Sequence, residues 1–521
     1  MTAPMIQRVE TWIGRIDRIA PLLAAMIAAD AYGTRMMGYA ARPRADFAGW
    51  WGWTDQGLYL RAAQAWSAGV LDRAEHWYFP GYAMLAAPFV RLLPIDPFTP
   101  VDVLCLIVST LAFCALAERL LHRPGARTIG AAVWIVTVSL NGLALRSWVE
   151  PWTTTPVAAL SLISLWLMLR LIDGAGARTG FGLGLAAGAV LLFRPTDALV
   201  LCIAAGVAGG VVVLMRRDWR LAAAGIAGVA LPIGVFGATY LALYGLTRSD
   251  YLTWSALVGF EWRLLPLRWV TLVIDPAPLI PDETGLSRAF WWVIPGVMGG
   301  AACLAVTRGR ARARHAAVLG TVALHVGVYL AYRDLHPQGL IRFGNYHYFK
   351  WVLPVLGLYT VALVLVPVWF GRCRVGWGVA VVAAFAFFWR AEFVPGTSPA
   401  AFAGPQTIMA PAGLGGITGA MRVAAAGGFT ALYQTEFDLI AGGTAWANGR
   451  SFKTQPVPGG LLLVPLRPLP AGPATVTFPA VILLDTAVPP VIGRQEIRFA
   501  LPVQWGWPGR TWHRLQRWRA R

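Results

Sequence analysis

The sequence predicts an α-helical polytopic membrane protein followed by a C-terminal β-rich soluble domain. Three observations carry this. Of 521 residues, 57% are apolar and 13% charged, with a mean hydropathy of +0.58, against about 25% charged in an ordinary soluble domain. Apolar runs long enough to cross a bilayer recur up to residue 392, and from about Pro395 the chain turns to Gly, Pro and alternating β-type segments. Composition alone excludes a soluble enzyme, a disordered chain and a fibrous protein. The net charge of +19 is carried almost wholly by arginine, since Lys350 and Lys453 are the only lysines. At this apolar content the charge points to membrane lipids and not to nucleic acid. The five cysteines show no metal-ligand spacing and imply no disulfide framework.

Taken in order, the runs that meet or approach the roughly 20 residues a span needs are 16–37, 101–121, 128–146, 152–172, 180–193, 196–215, 221–245, 289–306, 316–333, 349–370 and 375–392. That predicts eleven spans. The first is a retained helix and not a cleavable leader, because no small-residue cleavage site follows Arg8, Arg15 and Arg18. An odd number puts the termini on opposite sides. The segments 1–18, 118–128, 170–179, 216–220, 307–315 and 371–375 hold seventeen arginines, whereas the loops 34–80, 246–288 and 333–350 mix basic residues with acids. The positive-inside rule therefore puts the N-terminus in the cytoplasm and residues 395–521 outside.

The first outside loop is the richest in polar and aromatic residues, with Asp46, Trp50, Trp51, Trp53, Asp55, Gln56, Tyr59, His76, Trp77 and Tyr78. Asp55 to Gly69 reads as a helix with Asp55, Tyr59, Ala62 and Trp66 on one face. Phe79-Pro80-Gly81-Tyr82 opens a short apolar segment ending at Leu93-Pro94, too short to span and suited to the interface. In 395–521, alternation such as Ala474-Thr475-Val476-Thr477-Phe478 and Gln495-Glu496-Ile497-Arg498-Phe499 predicts strands. The tail Arg510 to Arg521 carries five arginines with Trp512 and Trp518 and fits either an anionic membrane surface or plain solvation. No internal repeat is visible.

Several residues could carry chemistry. Asp55 at a juxtamembrane helix start reads equally as a helix cap or as a general base. Glu150 lies in a tight outside connection, Arg146-Ser147-Trp148-Val149-Glu150-Pro151, and an ionisable residue near membrane depth points to function. Arg194 and Asp197 flank Pro195 at a break between spans, either as an ion pair that holds the break or as a cation offered to phosphate. The loop 333–350 brings Arg342, His347 and Lys350 together with Asn345, Tyr346 and Tyr348. Interfacial anchoring explains that mouth as well as recognition of a phosphorylated headgroup does. No P-loop, dinucleotide fingerprint or HExxH occurs.

The acid in Thr54-Asp55-Gln56-Gly57-Leu58-Tyr59-Leu60-Arg61-Ala62-Ala63 resembles the first-loop acid of the GT-C superfamily of membrane glycosyltransferases. Tyr78-Phe79-Pro80-Gly81-Tyr82 looks like that family's second patch. Ser147-Trp148-Val149-Glu150-Pro151, Phe193-Arg194-Pro195 and Tyr348-Phe349-Lys350-Trp351-Val352-Leu353-Pro354 fall at family-like places. The resemblance covers roughly residues 10–392 and rests on the order of short motifs. It implies a GT-C-like catalytic domain at 1–394, with a first outside loop at 34–100 and an accessory domain at 395–521, in the bacterial inner (plasma) membrane. The implied activity is transfer of a hexose or pentose from a polyprenyl-phosphate donor to an extracytoplasmic glycan or glycolipid acceptor, with inversion. Asp55 takes the role of base, and Glu150 is the second candidate catalytic residue. Arg194, Arg342, His347 and Lys350 bind the donor phosphate, and Gln56, Tyr59, His76 and Tyr78 bind substrate. The chain departs from the aminoarabinose and protein-mannosyl branches, because it has His76-Trp77-Tyr78-Phe79-Pro80 and a single acid in Asp55-Gln56. It has no Asp-x-Asp in the first loop, so no cofactor is certain and a divalent metal stays open. A transporter or flippase of lipid-linked glycans is the alternative. It would show matching breaks in two halves, and the sequence has one break, at Pro195. A receptor or scaffold built around the C-terminal domain would leave the first loop unexplained.

Overall fold

The computed structural model describes residues 3–40 and 54–370, apart from 95, 261, 263–264, 275–283 and short stretches between 333 and 343. Beyond 370 it describes only strand segments between 400 and 500. The chain divides into two compact units. One comprises 1–254, 290–326 and 346–378; the other comprises 255–289, 327–345 and 379–521.

The helices of the protein run in sequence as follows. α1 (Ala3–Ala40) contains the first apolar run. α2 (Thr54–Ala68) starts one residue before the predicted helix, and α3 (Gly81–Ala86) forms the short apolar segment. α4 (Thr99–Leu121) follows, then α5 (Ala126–Trp134), which passes through a wide turn at Ile135–Ser139 into α6 (Gly142–Val149). α7 (Thr154–Ile172), α8 (Ala177–Ala189), α9 (Pro195–Arg216) and α10 (Trp219–Tyr244) complete the continuous part. The remaining helices are α11 (Asp250–Val258), α12 (Leu265–Arg268), α13 (Leu286–Ala289), α14 (Val293–Val306), α15 (Gly309–Ala331) and α16 (Val352–Phe370).

Five of these, α4, α7, α9, α10 and α15, are long and apolar enough to cross a membrane, and Ala126–Ser139 with Gly142–Val149 makes a sixth if the bent pair is one span. Shorter apolar helices occur at Ala177–Leu192, Val293–Val306 and Val352–Leu365. The protein is a polytopic helical membrane protein. The predicted run 375–392 lies outside the described residues.

The run 128–146 is not the straight span its hydropathy suggests, for it bends by 80° between its two helices. The cause is local. The Asn141 side chain accepts the Ala144 amide at 2.9 Å and starts a new helix. Asn competes with helix continuation by bonding its own backbone, and hydropathy averaging does not register it.

Glycines set the closest helix approaches. A Cβ on Gly184 of α8 would meet the Gly225 carbonyl of α10, and one on Gly228 would meet the Phe181 carbonyl. Small residues let apolar helices pack backbone to backbone where no hydrophobic effect favours their meeting. At one end of the first unit, the C-termini of α4 and α7 meet the N-terminus of α15. Arg119 pairs with Asp173 at 2.9 Å, Arg314 reaches Asp173 at 3.5 Å, and Arg314 donates to the Arg119 carbonyl at 2.7 Å. The opposite ends of these helices carry the candidate site.

In the second unit the described strands are β1 (Ala400–Phe402), β2 (Thr407–Met409), β3 (Gly415–Val423), β4 (Thr430–Gln434), β5 (Leu439–Ala441), β6 (Thr444–Ala447), β7 (Arg450–Val457), β8 (Gly460–Pro465), β9 (Gly472–Ile482) and β10 (Glu496–Ala500). They pair antiparallel in the order β1-β3-β9-β6-β7-β8-β4-β10, with β2 on β3 and β5 on β9.

Candidate active site

Asp55 stands in the first turn of α2 and is half-buried. Loss of water raises its carboxyl above the usual carboxylate range; a hydrogen bond from Tyr78 and the charge of Arg194 pull the other way. A helix start also favours the ionised form. Beside it, Gln56 is fully buried, and neither of its amide atoms has a partner among the described residues. Tyr59 lies one turn on, with its ring 4.7 Å from Tyr78 and 5.7 Å from Tyr82 and its hydroxyl bonded to Thr153. Tyr78 in turn packs 5.0 Å from Tyr251. Of these rings, Tyr78 and Tyr59 both interact with the Asp55 carboxylate.

His76 is placed differently from the other first-loop residues. It is buried, with Nε2 2.9 Å from the Val70 carbonyl and its ring 5.3 Å from Trp66. The Tyr244 hydroxyl donates to its backbone carbonyl. Arg73 anchors the same loop by pairing with Asp250 and donating to the Arg248 carbonyl at 3.0 Å. The loop that presents Tyr78 is thus tied to the segment that follows α10.

The basic residues converge on the start of α7. Arg194 precedes Pro195, which occupies the first turn of α9, where its missing N–H costs nothing. Its Nε donates to Asp197 at 2.9 Å, its Nη1 to Thr153 at 3.2 Å, and its guanidinium lies 4.7 Å from the centre of the Tyr348 ring. Asp197 also faces His325 Nδ1 at 3.4 Å, and His325 Nε2 meets the Tyr348 carbonyl at 2.9 Å. His347 Nδ1 lies 3.0 Å from the Thr154 hydroxyl. Burial, then the charges of Lys350 and Arg194, hold His347 well below the ordinary imidazole value, so its ring is neutral at neutral pH. Lys350 Nζ donates to Thr155 at 2.6 Å and sits 5.4 Å from the Trp148 ring. Asp102 and Glu150 lie within its electrostatic reach.

Glu150 is buried and takes Arg146 Nε at 2.6 Å. Asp102, on the first turn of α4, is fully buried and accepts the Tyr82 hydroxyl on both oxygens, at 2.8 and 2.9 Å. Arg342 and Asp46 lie outside the described residues. The sequence reading missed Asp102 and the three threonines, each of which touches a different basic side chain. The threonines had one available sign, three consecutive hydroxyls between Trp152 and Pro156 at a helix start; Asp102 had none beyond an acid near the start of an apolar helix.

The first unit therefore holds a carboxylate able to take a proton, screened by aromatics. Next to it is a buried positive cluster at a helix N-terminus, a place that favours anions. Among the described residues no three His, Cys, Asp or Glu side chains gather to hold a metal ion.

No family model and no curated protein matches the chain. Among solved structures it is similar to the arabinosyltransferase EmbB from Mycobacterium smegmatis, at 12% identity and a TM-score of 0.35, over 82% of this chain and 62% of that one. The chain thus spans less than two-thirds of the length of EmbB.

Proposed function

We propose that the protein is a membrane glycosyltransferase of the GT-C kind that moves a sugar from a polyprenyl-phosphate donor to an extracytoplasmic glycan or glycolipid acceptor, inverting the anomeric carbon. One observation carries this: Arg194 lies in electrostatic reach of Asp55 and bonds the same threonine run that holds His347 and Lys350. A base for an acceptor hydroxyl and a seat for a departing phosphate are therefore contiguous.

In this mechanism the acceptor hydroxyl gives its proton to Asp55 while its oxygen attacks the anomeric carbon. The bond from that carbon to the phosphate oxygen breaks, and the electron pair leaves with the phosphate. Attack from the side opposite the leaving group inverts the centre. Arg194 and Lys350 offset the charge that builds on the phosphate, in a low-dielectric setting that strengthens each interaction. Neutral His347 adds a hydrogen bond. Gln56, whose amide has no partner among the described residues, offers it to a sugar hydroxyl, Tyr59 and Tyr78 offer ring faces, and His76 shapes the loop that carries Tyr78. Glu150, held by Arg146, sets the field around Lys350. Arg342 keeps the phosphate role its sequence position suggests, and lies outside the described residues.

The remaining features follow the same reading. The shorter apolar helices, α1 and the segment 375–392 bring the spans to eleven, in the bacterial inner membrane with the N-terminus in the cytoplasm. The arginine-rich end is the cytoplasmic one, and the end with Asp55 faces out. Residues 395–521 form a β-rich accessory domain outside, whose Tyr433, Trp446, Trp505 and Trp507 suit stacking on sugar rings. Reconstitution with a set of labelled polyprenyl-phosphate sugars tests the whole: release of free polyprenyl phosphate with sugar incorporation is expected. Transport of an intact lipid-linked glycan without bond cleavage would overturn it.

A further inference from the structure

Two indole N–H groups at the basic cluster have no acceptor among the described residues. Trp152 and Trp351 are 5% and 1% exposed, and Nε1 of each is buried and unpartnered. An indole nitrogen only donates, and a buried donor without an acceptor is costly. Trp152 lies flat on His347, with ring centres 4.1 Å apart and planes 7° apart. Trp351 directly follows Lys350 and meets His325 edge-on at 4.9 Å. Trp152 therefore borders the cluster at His347 itself, and Trp351 reaches it through His325, which faces Asp197, the partner of Arg194.

The start of α7 adds further donors to the same place. Thr153, at its cap position, makes no side-chain capping bond; the Thr155 amide turns back to the Trp152 carbonyl at 2.9 Å, and Pro156 has no N–H. The hydroxyls of Thr153, Thr154 and Thr155 contact Arg194, His347 and Lys350 in turn. The Thr153 and Thr155 hydroxyls, which accept from Arg194 and Lys350, still have their own hydrogens to give, and Thr154 does so in the tautomer of His347 that carries its proton on Nδ1. Asp197 pairs with Arg194, and Asp102 and Glu150 face Lys350, so the local charge is partly balanced before any ligand arrives.

Hydroxyl hydrogens, indole N–H groups and cations are all donors, and an acceptor-only tetrahedral anion matches them. We infer that Trp152, Thr153, Thr154, Thr155 and Trp351 form the seat of the leaving phosphate, with Arg194, His347 and Lys350 held in place by the three hydroxyls. This rests on the transferase reading above and names residues for its donor site. A phosphodiester donor carries one negative charge, and the monoester product carries up to two at neutral pH. A seat built from fixed donors is therefore stronger as the bond breaks than before.

The test uses the full chain in nanodiscs and calorimetric titration with farnesyl phosphate, inorganic phosphate and farnesol. The expected result is that farnesyl phosphate binds while farnesol does not. Trp152→Phe, which keeps the stack on His347 but removes the N–H, should weaken farnesyl phosphate about tenfold, as the loss of one hydrogen bond to a charged group does. Thr154→Val should weaken it to a similar degree, and Thr154→Ser should restore it. If farnesyl phosphate binds wild type and these variants alike, the seat is elsewhere, although sugar transfer by the wild type would still uphold the transferase reading. If inorganic phosphate binds as tightly as farnesyl phosphate and both weaken together, the site serves free phosphate and the leaving-group assignment is wrong. If the wild type neither binds farnesyl phosphate nor turns over a polyprenyl-phosphate sugar, the seat and the transferase reading fall together.

Discussion

Removing the Tyr78 hydroxyl separates a catalytic carboxylate from a helix cap. The Tyr78 hydroxyl donates to Asp55 and stabilises its ionised form, against the burial that raises its pKa. Tyr78→Phe leaves the ring contacts with Tyr59 and Tyr251 in place and deletes only that bond. Hydrogen bonds to charged groups are worth about 1.5–3 kcal/mol, and one pKa unit is about 1.4 kcal/mol. Since Asp55 is half-buried and partly screened, the lower end applies, about one unit. The direction follows directly: losing a bond to the charged form raises the carboxyl further, so the basic form is lost at a higher pH. The acid limb of kcat should therefore move up by about one pH unit. Tyr59→Phe is the control of equal size, because its hydroxyl bonds Thr153 and not Asp55. The assay is kcat against pH with saturating donor. An acid limb that stays in place or moves down in Tyr78→Phe, or that moves equally in Tyr59→Phe, would refute Asp55 as the titrating base.

Four further outcomes are expected. Asp55→Asn should lower turnover by about 10²–10⁴ while donor binding persists; near-normal turnover in folded protein would leave Asp55 a cap and make Glu150 or Asp46 the next base to test. Gly184→Leu should prevent stable assembly of α8 on α10, because its Cβ alone meets the Gly225 carbonyl, whereas Gly209→Ala, with nothing within 4 Å, should melt close to wild type in a fluorescence size-exclusion assay. In intact spheroplasts an impermeant thiol reagent should label Ser451→Cys and not Arg310→Cys; labelling of both or of neither sinks the proposed orientation. Deleting residues 396–521 should raise acceptor KM much more than it weakens the donor, and a collapse of donor binding would place that domain in the catalytic core.

Some of this architecture could be read from residue order and some could not. The helix at Thr54–Ala68 followed from Asp55 at its start and from apolar residues at helical spacing. Arg194-Pro195 marked the start of α9 because proline fixes the first turn and ends whatever precedes it. These are local signals. The bend after Leu140 was not visible, since one asparagine side chain decides it against an apolar background. The threonine run was legible as a helix start but not as a binding element. Its partners Arg194, His347 and Lys350 lie 41, 193 and 195 residues away in sequence, and no periodicity reports which distant cations converge. Asp102 was missed for the same reason, as its meaning comes from Tyr82 and Lys350.

Helix α10 makes the bilayer itself a variable. It has 26 residues, and only 17% of its apolar window is buried by the rest of the protein. At 1.5 Å per residue it is about 39 Å long, whereas the hydrocarbon layer is about 30 Å thick. A helix longer than the layer it crosses tilts, and the tilt depends on lipid chain length. Its last residue, Tyr244, holds the His76 carbonyl, two residues before Tyr78. A change in its tilt would pull on the loop that carries Tyr78, whose hydroxyl bonds Asp55. Under the transferase reading, turnover measured in short-chain detergent and in long-chain liposomes would then differ for the same chain, and comparisons among variants belong in a lipid of fixed chain length.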